Sequence, residues 1–74
     1  MALSKKAQAV LAAINNDEEL LTWATYSIRY NTRATWGQDF MGKLHSHKIV
    51  FEGSDDVKAI TQALSAIDKF DRNN

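Results

Sequence analysis

Apolar residues recur at helical spacing over residues 55–70, and this is the clearest pattern in the chain. The apolar positions are Val57, Ala59, Ile60, Ala63, Leu64, Ala66, Ile67 and Phe70. Intervals of three and four residues place such side chains on one helix face, which packs on a core. Ser54 has an N-cap side chain, and Asp55 and Asp56 put negative charge near the positive end of the helix dipole. The sequence therefore predicts a helix over residues 55–70, capped by Ser54.

The residues before this helix have a period of two. Over residues 46–52, Ile49 and Phe51 alternate with the charged Lys48 and Glu52. Alternation in β-branched and aromatic residues is typical of a strand that is covered on one face. The sequence therefore predicts a strand over residues 46–52 that leads directly into the last helix.

A first helix is predicted over residues 4–15. Its apolar face consists of Leu3, Ala7, Val10, Leu11 and Ile14. Asn15 and Asn16 end it, because Asn competes for backbone hydrogen bonds and tolerates the left-handed conformation. Asn16 and Glu19 also have the spacing of a capping box, which predicts a further helical turn through Leu21.

Residues 22–30 fit two periods. In a strand, Ala24, Tyr26, Ile28 and Tyr30 would share one side, and the segment is rich in strand-favouring residues. In a helix, Leu20, Leu21, Ala24 and Ile28 would form an acceptable apolar stripe. We favour the strand and keep the helix as the open alternative. Asn31 and Thr32 then predict a turn, after which residues 33–36 would return as a second strand.

These elements predict an α+β fold for one small domain, residues 1–74, with residues 71–74 as a frayed C-terminal tail. The order is helix, two or three antiparallel strands, helix, with both helices on one face of the sheet. The alternative is a mostly α fold with a short hairpin. The uncovered far face of the sheet and the edge strand at residues 46–52 also predict a homodimer.

Composition narrows the class of protein. The chain of 74 residues has no Cys, no Pro and a net charge of zero. A disulfide framework and a thiolate zinc site are therefore excluded, and a reducing, cytoplasmic setting is expected. The apolar N-terminal stretch is interrupted by Gln8 and is interpreted as a helix of the mature protein rather than a secretory signal. No apolar run approaches the ~20 residues of a membrane span, so no membrane association is expected.

The sequence shows no pattern of an enzyme. No nucleophile motif, phosphate loop or dinucleotide fingerprint is present, so no catalytic residue and no cofactor are predicted. His45 and His47 have the only metal-like spacing, because residues two apart share a face of a strand. Asp39 or Glu52 would have to supply a third ligand. The preferred interpretation is two ordinary surface histidines.

The central segment combines aromatic residues with cations. The predicted function is a non-enzymatic protein–protein interaction module that occupies a partner surface, as the small accessory or inhibitor proteins of phages do. Trp, Tyr and Arg dominate the energetics of protein interfaces. The predicted partner-binding residues are Trp23, Tyr26, Arg29, Tyr30, Arg33 and Trp36.

The alternative is a nucleic-acid-binding domain. Between residues 20 and 50, four cations stand against Asp39 as the only carboxylate, and aromatic residues lie between them. Such a segment can bind phosphates electrostatically and stack bases on its rings. The cations are Arg29, Arg33, Lys43 and Lys48.

Overall fold

Helices make up the regular structure of the part of the chain that the structure describes. The computed structural model describes residues 3–50, 53–68 and 70, without the side chains of Asp55 and Asp56. Its helices are α1 (Lys5–Asn16), α2 (Glu18–Tyr30), α3 (Gln38–Ser46) and α4 (Ser54–Ile67). No strand occurs in this part of the chain, so the predicted α+β fold, with both helices on one face of a sheet, is wrong. The alternative prediction, a mostly α fold with a short hairpin, has the right fold class. Its hairpin, however, is also absent from the described residues.

The segment with two periods, residues 22–30, lies in α2, so the strand prediction is wrong there. Leu20 and Ala24 are fully buried at helical spacing, whereas Tyr26 and Tyr30 are exposed. The helix starts at Asp17, whose carboxylate accepts hydrogen bonds from the first free N–H groups of the helix. The cap at Asp17 and the burial of residues at intervals of three and four favour the helix, although the sequence pattern favoured the strand.

Within the segment predicted as the edge strand, residues 46–52, Ser46 is the last residue of α3, and His47, Lys48 and Ile49 close that helix. His47 is the C-cap residue, and Lys48 follows with a left-handed φ of 66°. The N–H groups of Lys48 and Ile49 donate to the carbonyls of His45 and Leu44, at 2.8 and 3.0 Å. This is the Schellman pattern, in which a left-handed residue closes a helix. The edge-strand route to a dimer is therefore wrong for residues 46–50; Phe51 and Glu52 lie outside the described residues.

The predicted return strand over residues 33–36 is also absent. The N–H of Trp36 donates to the carbonyl of Arg33 at 3.0 Å, which closes a turn. Before it, Asn31 has a φ of 48°, and the N–H of Thr32 donates to the carbonyl of Ser27 at 3.0 Å. The predicted turn at Asn31 is therefore the C-terminal end of a helix and not a hairpin.

The two terminal helices are confirmed, with shifts at their ends. Ser4 caps α1, since its Oγ accepts from the N–H of Ala7 at 3.1 Å. Asp17, one residue after the predicted Asn16, caps α2. Gly53 precedes α4 and Ser54 is its first residue, without a side-chain cap, so the predicted capping role of Ser54 is wrong. The helix ends at Ile67, and Phe70 is buried beyond it.

One apolar cluster joins the four helices. Helix α1 packs against α4 and against α2, and α2 packs against α3. The small Ala side chains at the α1–α4 contact permit close approach of the two backbones. The buried members are Val10, Ala13, Ile14, Leu20, Ala24, Phe40, Leu44, Ile49, Ile60, Ala63, Leu64 and Phe70. Over the described residues, each helix is too short or too polar to cross a lipid bilayer.

Candidate interaction surface

The side of α2 that faces away from the core carries exposed apolar and aromatic side chains. Seven residues line a shallow groove of about 450 Å³ along this outer face: Glu18, Leu21, Thr22, Thr25, Tyr26, Arg29 and Tyr30. All seven are exposed. Leu21, Tyr26 and Tyr30 have 40%, 48% and 59% of their surface accessible, so the outer side of α2 exposes three large side chains to solvent. The two Tyr rings lie against each other, with 4.6 Å between their centroids.

The two Trp residues of the predicted interface lie elsewhere. Trp23 and Trp36 are half-buried, and both contact the ring of Phe40, at centroid distances of 5.9 and 6.4 Å. Trp36 also stacks on Phe70 at 5.9 Å. The guanidinium of Arg33 lies 5.9 Å from the Trp36 ring, within the range of a cation–π contact. These indoles close the core, so they supply less free surface than the sequence prediction assumed.

A buried hydroxyl pair holds the loop that carries Trp36. Ser27 is fully buried, and its Oγ lies 2.5 Å from Oγ1 of Thr35. Oγ1 of Thr35 lies 3.5 Å from the carbonyl of Trp23. If the Thr35 hydroxyl donates to that carbonyl, the Ser27 hydroxyl donates to Thr35, and the buried hydroxyl of Ser27 and the half-buried hydroxyl of Thr35 are both satisfied. Among the described residues, the buried indole Nε1–H of Trp36 has no hydrogen-bond partner.

A charged cluster connects the start of α2 with the end of α3. Oδ2 of Asp17 lies 3.1 Å from Nε2 of His47 and 3.4 Å from Nζ of Lys43. Glu19 binds the same ammonium group at 3.1 Å. The hydrogen bond from His47 is the largest cause that lowers the pKa of Asp17 from 3.8 to about 2. The hydrogen bond to Glu19, followed by that to Asp17, raises the pKa of Lys43.

This cluster weakens the basic surface that the alternative function requires. Lys43 faces two carboxylates, so its charge is locally neutralised. Lys48 follows α3 at the helix end, whereas Arg29 lies on the outer face of α2. Arg33 lies over an indole instead of beside the other cations. The described contacts therefore give these four residues no common groove.

The two histidines point to different sides of the end of α3. His45 lies in the last turn of α3 and His47 is its C-cap, and residues two apart on a helix point about 200° apart. His45 borders a groove with Met41 and Val50, while His47 binds Asp17. Asp39 lines a different groove, and Glu52 lies outside the described residues. Within the described residues, no three His, Asp or Glu side chains converge to hold a metal ion.

Sequence reasoning identified three of the seven outer-face residues and missed the others. Tyr26, Arg29 and Tyr30 were selected by residue type. Glu18 and Leu21 were missed, because their place beside these residues depends on a helix through residue 30. Reading the segment at intervals of four would have grouped Glu18 with Tyr26 and Leu21 with Arg29. Comparison of the chain with protein-family models, with curated proteins and with solved structures found no match.

Proposed function

We propose that this protein is a non-enzymatic interaction module that occupies the surface of a partner protein with the outer face of α2. The observation that supports this function is that Leu21, Tyr26 and Tyr30, all exposed, line the same groove along the outer side of α2. Tyr and Arg are enriched among the residues that dominate interface energetics, and Arg29 lies on the same face. The proposed class is that of small accessory or inhibitor proteins, such as those encoded by phages.

The form of the groove supports binding rather than catalysis. All of its lining residues belong to α2. A single helix face presents side chains to a partner but does not surround a small molecule, which enzymes do to exclude water. The proposed compartment is the cytoplasm, which the absence of Cys fits.

The nucleic-acid alternative has less support. Its four cations are not gathered on one face, and Lys43 is held by Asp17 and Glu19. Electrostatic binding to phosphates depends on cations that are free to replace counterions. The outer face of α2 has Glu18 as well as Arg29, which does not favour a polyanion.

Affinity capture from cells that produce the protein tests the proposed function. The test variant is Tyr26→Ala/Arg29→Ala/Tyr30→Ala, and the control is Lys5→Ala/Gln8→Ala/Asn15→Ala, which removes one cation and two other exposed side chains from α1. Proteins retained by the wild type and by the control, but lost from the test variant, are the expected result. Circular dichroism confirms that both variants keep their helices. Retention of the same proteins by all three would contradict the proposal.

A further inference from the structure

The outer face of α2 has a self-complementary order of residues. Along the helix the exposed positions run Glu18, Leu21, Thr22, Thr25, Tyr26 and Arg29, with Tyr30 at the end. If the helix direction is reversed about the midpoint between Trp23 and Ala24, Glu18 takes the place of Arg29 along the helix. Leu21 likewise takes the place of Tyr26. The same reversal exchanges the two Thr residues. An acid thus corresponds to a base on one line of the helix, whereas Leu21 and Tyr26 lie on the two margins of that line, about 140° apart.

A two-fold axis performs this reversal. In an isologous dimer, residue i of one copy meets residue j of the other, and j meets i. From the face of α2 we infer that two copies of this chain pair through antiparallel α2 helices, with the axis at the helix midpoint. This inference rests on the proposed function, because it names a second copy as a partner of the same surface.

The charges select the antiparallel orientation. Antiparallel pairing sets Glu18 against Arg29 of the second copy at both ends of the interface. Parallel pairing in register would set Glu18 against Glu18 and Arg29 against Arg29, and like charges placed opposite each other oppose association. The two charged residues lie near opposite ends of a 13-residue helix, so both pairs form only in one register.

The middle of the face suits close contact. Thr22 and Thr25 are small, and the Thr22 hydroxyl already donates to the carbonyl of Glu18 at 3.0 Å. Burial of Thr22 therefore leaves its hydroxyl satisfied. Leu21 on one margin of this centre and Tyr26 on the other each meet their own counterpart in the second copy and supply the apolar contact. Tyr30, packed on Tyr26, extends the apolar surface at each end.

The size of the face sets the expected affinity. A helix of 13 residues is about 20 Å long. Two such faces bury an area at or below the lower limit of stable interfaces, roughly 1,200 Å² in total. The dimer is therefore expected to be weak and to exchange with the monomer as the concentration changes.

Sedimentation equilibrium with charge reversal tests the inference. The weight-average mass of the wild type is expected to rise from that of one 8.3 kDa chain toward twice this value as concentration increases from about 10 µM to about 1 mM. Glu18→Arg and Arg29→Glu each turn two attractive pairs into repulsive ones and are expected to weaken the dimer at least about tenfold. The double variant Glu18→Arg/Arg29→Glu is expected to restore it, because every antiparallel pair is attractive again. Lys5→Glu, on α1, is the control and is expected to associate like the wild type.

A second measurement keeps the test independent of folding. Isotope-filtered NMR on a mixture of labelled and unlabelled wild type is expected to show contacts between the Tyr26 rings of the two copies and between their Leu21 methyl groups. A wild type that stays at one chain mass up to about 1 mM would overturn the inference. So would a double variant that folds and stays monomeric, or a dimer without these contacts. None of these results bears on capture of other proteins by the same face, so the proposed function fails or stands separately.

Discussion

The α1–α4 contact and the α2–α3 contact are built from different chemistry. The buried residues of the first pair are apolar: Ala7, Val10, Ala13 and Ile14 from α1, and Ala59, Ile60, Ala63 and Leu64 from α4. Between α2 and α3, the Trp23 ring meets Phe40 edge-on, and Asp17 binds Lys43 and His47. The first contact depends on the removal of apolar surface from water, and the second also depends on the position of each polar atom.

This difference predicts different responses to solution conditions. Apolar burial has no titrating group and little dependence on salt. An exposed ion pair is screened by salt and is lost when its carboxylate is protonated. We therefore expect the α1–α4 pair to supply most of the free energy of unfolding, and the polar contacts to set how α2 and α3 are placed.

The largest expected effect is the loss of stability from a cavity between α1 and α4. Leu64 is fully buried, and Leu64→Ala is expected to lower the free energy of unfolding by about 2–5 kcal/mol. The control is Ile67→Ala on the same helix, where 37% of the residue's surface is accessible and a loss of roughly 1 kcal/mol or less is expected. Urea denaturation at neutral pH measures both. Equal losses would contradict the assignment of the main core to this contact.

A smaller effect is expected at the buried hydroxyl pair. Ser27→Ala is expected to lower the free energy of unfolding by roughly 1 kcal/mol, and Thr35→Val by about 1–3 kcal/mol, because it leaves the Ser27 hydroxyl unpaired. The double variant should lose less than the sum of the two, with a coupling energy of about 1 kcal/mol. Thr25→Val, an exposed change on the same helix, is the control, expected within about 0.5 kcal/mol of wild type. Additive losses would show that the two hydroxyls act independently.

The smallest expected effect is a change in pH dependence at Asp17. Its pKa is lowered from 3.8 to about 2 in the folded protein, so its charge stabilises the fold above 3.8. This contribution is lost as the pH falls from 3.8 to about 2. Asn retains the capping function, so Asp17→Asn isolates the charge.

Thermal melting between pH 2 and pH 7 measures the effect of Asp17→Asn. The wild type should melt at a higher temperature than the variant near neutral pH, and the difference should close between 3.8 and about 2. Asp39→Asn, at the exposed start of α3, is the control. A difference between wild type and Asp17→Asn that persists unchanged at the lowest pH would show that the charge of Asp17 does not stabilise the fold.

The types of residue on the outer face of α2 could be predicted from the sequence, but which of these residues face solvent could not. Tyr26, Arg29 and Tyr30 were identified because such residues dominate interfaces. Trp23 and Trp36 are of the same type, but their contact with Phe40 draws them toward the core. Only packing distinguishes an aromatic residue that closes the core from one that faces solvent.

The sequence by itself determined the two terminal helices. In α1 and α4 the apolar residues fit one period, and the Ser4 cap agrees with it. The central segments were decided by tertiary structure. Residues 22–30 satisfy two periods, and residues 46–50 close a helix through Lys48, where sequence rules expect Gly. Short amphipathic segments have little intrinsic preference, so the conformation that buries Leu20, Ala24 and Ile49 against the other helices prevails.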